Sequence, residues 1–158
     1  MIAAFGLFAL VACDDTTTTT ADSGHGDHGT HAETCGEPGD HYLAGMTALG
    51  ADGLVELTLV SSDPGPPEKG DNVFVVSVAS AADGAVLQGA GVVLRPWMPE
   101  HGHGSSPETF SVVEGATVGE FQAEGVDLFM GGLWELAFEV ESAAGDIDTA
   151  TFTFCVEG

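Results

Sequence analysis

From residue 36 onward the apolar and polar positions of this chain alternate with a period of two. Val55, Leu57 and Leu59 alternate with Glu56 and Thr58, and Phe74, Val76 and Val78 form a second apolar face. Ala90, Val92 and Leu94 alternate with Gly91, Val93 and Arg95. The cleanest case is Trp134, Leu136, Phe138 and Val140 against Glu135, Ala137, Glu139 and Glu141. Ala150, Phe152, Phe154 and Val156 alternate with threonines and Cys155. Each run predicts a half-buried antiparallel strand with one wet face. Weaker strands are expected near Glu108–Val113 and Gly119–Met130, with Gly125 marking a bulge that switches the inward face. No segment carries a helical stripe longer than two turns. Seven strands separated by Gly, Pro and Asp turns predict an all-β fold, an immunoglobulin-like two-sheet antiparallel β-sandwich over residues 35–158. An up-and-down barrel is the less favoured alternative.

The N-terminal part has a different texture. Residues 1–12, MIAAFGLFALVA, are uncharged and end at Cys13. A run of roughly a dozen apolar residues is too short to span a bilayer, which needs about twenty, and suits the core of an export signal. Leu10-Val11-Ala12-Cys13 resembles the lipobox of bacterial lipoproteins, which implies a signal peptide over 1–12 and lipidation of Cys13. A buried N-terminal strand is the competing expectation. Residues 13–34 hold no large apolar side chain after the cysteine and are expected to form a disordered tether. Its histidines, His25, His28 and His31, recur every three residues. The tract reads equally as a weak Zn or Cu binder and as a polar linker.

Charge narrows the partners. Among 158 residues there are 25 acidic and 2 basic ones, a formal net charge of −23. Nucleic-acid binding is excluded, because it needs clustered Lys and Arg to release counterions. Adsorption to anionic lipid by charge is excluded on the same ground. An apolar fraction of 44% is nevertheless too high for a disordered acidic chain, so the charge belongs to a folded surface. Three cysteines leave an odd count. With lipid on Cys13, Cys35 and Cys155 remain as a disulfide pair for an oxidising compartment. Two unrelated free thiols are the alternative.

The chemistry concentrates in two stretches. Arg95-Pro96-Trp97-Met98-Pro99-Glu100-His101-Gly102-His103-Gly104 reads as a loop, and Phe129-Met130-Gly131-Gly132-Leu133-Trp134-Glu135-Leu136 follows some twenty-five residues later. Antiparallel strand directions bring the loops after Leu94 and Leu128 to one end of a sandwich. Met98, His101, His103 and Met130 then form a candidate metal set. Thioethers favour Cu(I) and imidazoles accept Cu(I), Cu(II) and Zn, so the mixture points to copper as the cofactor. The ligands must be neutral imidazoles, so binding is expected to weaken as pH falls through about 6.5. Against this stands plain packing: methionines that fill core gaps, tryptophans that plug a sandwich, and loop histidines in water.

The series PxPPxxGxN from Pro64 to Asn72, MPxHGHG from Met98 to Gly104, Gly119-Glu120-Phe121 and MxGxWEL from Met130 to Leu136 resembles the YtkA-like domain group, a relative of FixH-like envelope proteins. The resemblance covers Tyr42 to Val156. Where many relatives read MPxMxHG, this chain has His101 in place of the second methionine. The resemblance implies an extracytoplasmic β-sandwich linked to copper handling and respiratory oxidase assembly. Two function classes follow. One is a membrane-anchored envelope lipoprotein that handles copper, with an envelope protein partner. The other is a structural or interaction domain docking an envelope or respiratory membrane complex without metal. Enzyme chemistry is not expected: His101, Ser105, Ser106 and Glu108 lie in one stretch without a nucleophile elbow.

Overall fold

The computed structural model describes residues 41–157. The N-terminal expectations, namely the signal peptide, lipidated Cys13, tether histidines His25, His28 and His31, and Cys35, lie outside the described residues. The described chain is all strand and turn: β1 (Met46–Leu49), β2 (Val55–Asp63), β3 (Gly70–Ser80), β4 (Gly91–Met98), β5 (His103–Gly104), β6 (Phe110–Glu114), β7 (Glu120–Leu128), β8 (Gly132–Glu141) and β9 (Ile147–Val156). The seven strands expected from alternation are present, and β1 and β5 are additions.

The strands follow one antiparallel path, β1-β2-β3-β7-β6-β4-β8-β9, with β5 pairing β4 off that path. β6 joins the two layers: Val113 and Glu114 pair with β7, and Phe110 to Val112 pair with β4. One sheet therefore reads β2-β3-β7-β6 and the other β4-β8-β9. That is the ABED and CFG arrangement of an immunoglobulin constant-type sandwich, with β1 added at one edge. Because β6 pairs on both sides, the sheet is nearly closed, which reconciles the sandwich with the barrel alternative.

Alternation explains the core. Leu57, Leu59, Phe74, Val76 and Val78 from one sheet face Leu94, Trp134, Leu136, Phe138 and Phe154 from the other, all with no exposed surface. Phe138 and Phe152 meet edge to face at 5.9 Å. The expected bulge is present at Gly125, whose φ is +63°. Asn72 pairs Val126 while Phe74 pairs Ala123, so β7 holds one extra residue there. The inward set shifts from Phe121 and Ala123 to Val126 and Leu128.

The stretch 95–104, expected as a loop, is corrected by the structure. β4 continues through Pro96 to Met98, keeping Leu94 and Met98 inward. Pro96 is tolerated because β6 covers Val92 to Leu94 and β5 covers Trp97 and Met98. A residue without an N–H thus sits where β4 changes partners.

Candidate metal centre

Two loops and one short ribbon build this end of the sandwich. After Met98 the chain turns tightly: the N–H groups of His101 and Gly102 donate to the Met98 carbonyl at 3.2 and 2.9 Å. β5 then folds back so that His103 lies directly opposite Met98 and Gly104 opposite Trp97. Any Cβ on Gly104 would collide with the Pro96 carbonyl oxygen, so only glycine lets the ribbon close this tightly. Ser105, buried next in line, donates its hydroxyl to the Asp127 carbonyl at 2.6 Å and ties β5 to the opposite sheet. That hydroxyl is committed to structure.

Directly opposed residues of an antiparallel pair share a face. Met98 points into the core, so His103 stands on the inner face beside it. The His103 ring stacks on Phe129, with centroids 5.3 Å apart and planes at 25°. Phe129 in turn meets Trp134 edge to face at 5.8 Å. The Trp134 indole donates to the Met130 carbonyl at 3.0 Å, which fixes the backbone of the loop between β7 and β8. Met130 is half-buried against the core. On the solvent side the His101 ring stacks over His103 at 5.6 Å and 29°. The four candidate ligands therefore do reach one end of the sandwich, but at different depths. Met98 is fully buried, His103 and Met130 are half-buried, and His101 is exposed.

One atom here is unusual. His103 Nδ1 is the only buried side-chain polar atom without a hydrogen-bond partner among the described residues. An orphaned buried nitrogen costs about 1–3 kcal/mol relative to one with a partner, and such atoms in native folds call for an explanation. No three of His, Cys, Asp and Glu among the described residues are grouped to hold a metal ion. A metal at this end would thus depend on thioether sulfurs beside imidazole. That is a soft donor set, and a buried, unpartnered Nδ1 on the residue paired with Met98 fits it.

The other motif residues are structural. Asn72, the last residue of the PxPPxxGxN series, is buried and fully used. Its Oδ1 accepts from the Glu68 N–H at 3.1 Å, and its Nδ2 donates to the Glu68 and Gly70 carbonyls at 2.8 and 2.7 Å. Trp134 is a core plug, whereas Trp97, expected to share that role, lies on the outer face and is 39% exposed. Phe129 is the participant that periodicity misses; a 42% exposed aromatic just past a strand end is the signal that marks it. Cys155 is disulfide-bonded and sits on the outward alternation of β9, opposite Leu133; its expected partner Cys35 lies outside the described residues.

A family model described as YtkA-like matches residues 51–139. No curated protein and no solved structure matches the chain.

Proposed function

The chain belongs to the YtkA-like family, and from that premise we propose that it is a copper-binding accessory protein of the cell envelope, without catalytic activity of its own. In this reading Cys13 carries lipid after removal of residues 1–12, residues 13–34 tether the sandwich outside the cytoplasm, and Cys35 bridges Cys155. The observation that carries the copper assignment is the orphaned His103 Nδ1 on the inner face, opposite Met98. His103 and Met98 would hold the ion, with Met130 closing the set from the neighbouring loop and the exposed His101 standing at its solvent edge. A bound Cu(I) would satisfy the nitrogen and use the thioethers that a harder ion would not.

A second reading has its own support. Met98 has no exposed surface and is a member of the continuous core. Buried methionines usually fill space, and on that view the domain is an interaction module docking an envelope complex.

Two conservative variants separate them. Met98→Leu and Met130→Leu keep volume and remove sulfur, so each should change stability by less than about 1.5 kcal/mol. The copper reading expects both to weaken Cu(I) far more than Zn, measured by competition with a Cu(I) chelator. Unchanged Cu(I) affinity in both would leave the interaction module. The anchor is tested separately: labelled palmitate should be incorporated in a bacterial host and be lost in Cys13→Ser.

A further inference from the structure

The candidate ligands form a sequence in depth rather than a ring at one level. The exposed His101 ring stacks on the half-buried His103 ring at 5.6 Å, and His103 stands opposite the fully buried Met98. His101 belongs to the turn closed on the Met98 carbonyl, so its backbone is held while its ring stays at the solvent face. The Nδ1 of His103 is buried, and the His103 ring also stacks on Phe129 at 5.3 Å. By exposure, His101 is the outermost of the four, ahead of the half-buried His103 and Met130 and the buried Met98.

We propose, resting on the copper reading above, that His101 is an entry ligand that accepts Cu(I) from its donor and passes it inward. Retention is the work of His103 with the thioethers. Ligand softness supports the direction: the site runs from imidazole alone at the surface to imidazole plus thioether inside, and Cu(I) gains from each added sulfur. The protons balance without a redox step. The ion stays Cu(I), and one ligand set replaces another.

The test uses the full chain with His25→Ala, His28→Ala and His31→Ala, so that only the sandwich site is read. Cu(I) is supplied as its bicinchoninate complex; the rate of transfer and the final partition are measured in the same run. His101→Ala should slow transfer by about tenfold while leaving equilibrium affinity within about threefold. His103→Gln removes a direct ligand and should lower the equilibrium affinity by at least about 100-fold, the upper end for losing even an outer-shell partner of a ligand. Circular dichroism and a urea melt establish that each variant is folded. If His101→Ala lowers affinity as much as His103→Gln, His101 is a permanent ligand and the entry role is wrong, while the copper site stands. If His101→Ala changes neither rate nor affinity, the entry role is also wrong. If His103→Gln leaves affinity intact, the copper site itself falls and the entry role with it.

Discussion

The two ends of the sandwich bury polar groups in opposite ways. At one end the Asp148 carboxylate accepts N–H bonds from Asp52 at 2.9 Å, Leu54 at 2.8 Å, Val55 at 3.2 Å and its neighbour Thr149 at 2.8 Å. Burial pushes its pKa up, but those four donors together outweigh burial and hold it below the ordinary carboxylate value. At the other end Asn72 and Ser105 are equally well served, yet His103 Nδ1 has no partner. A buried group with all its bonds made is explained by the fold it supports. One left without a partner beside satisfied neighbours calls for its own explanation. The Asp148 end is thus a fastening, and the His103 end is the place to look for a ligand.

The largest expected effect bears on how the His103 end is held together. Cys155 lies opposite Leu133, two residues from the loop that carries Met130. If it bridges Cys35, the closed loop of about 120 residues contributes on the order of 4–5 kcal/mol through the unfolded state. Cys155→Ser should lose most of that in a urea melt, and reducing the native protein should lose the same amount. Linked peptides containing Cys35 and Cys155 should appear in a non-reduced digest; free thiols at both positions would reject the pairing.

Breaking the fastening comes next. Asp148→Ala leaves several N–H groups without an acceptor and should cost about 1–3 kcal/mol, with no change in Cu(I) affinity. Acid should act through the same group. Its folded pKa lies below its unfolded value of about 3.9, so its contribution is complete above about pH 5. As pH falls, the unfolded chain takes up the proton first, and the contribution is lost on the way down through the folded pKa. In Asp148→Ala the acid branch of a stability profile should therefore be shallower than in the native protein. A parallel branch would remove Asp148 from the account.

The smallest effect concerns charge. Asp71 faces Asp127 directly across β3 and β7, and Glu68 bridges Glu157, in a chain of net charge −23. Opposed like charges are destabilising by about 0.2–1 kcal/mol per pair. Salt near 1 M, where the Debye length is about 3 Å, should screen them and raise the melting temperature. Asp71→Asn should reduce that salt response; an unchanged response would place the repulsion elsewhere.

Much of this architecture was legible in the sequence, because one wet face and one dry face leave an unambiguous period of two. The bulge was readable as well, since Gly125 interrupts the alternation between Ala123 and Val126. β1 escaped notice: Met46 and Ala48 are only half-buried, so its four residues carry too little contrast. The end of β4 was misread because Pro96 signals a break, and only the change of partners from β6 to β5 makes it admissible. That Met98, His101, His103 and Met130 lie at one end of the sandwich was legible from strand direction. Their order in depth was not. It depends on the register that sets His103 against the buried Met98, a tertiary fact.

The central proposal is that a soft metal is the partner of His103 Nδ1. Nitrogen NMR of the histidine rings tests it most directly, in the full chain lacking the tail histidines, with Ag(I) as a redox-inert substitute for Cu(I). One equivalent should move the Nδ1 resonance of His103 and the methyl resonances of Met98 and Met130 together, in a folded spectrum otherwise little changed. An Nδ1 resonance that stays in place while the metal remains free in solution would contradict the claim and return this end of the sandwich to packing alone.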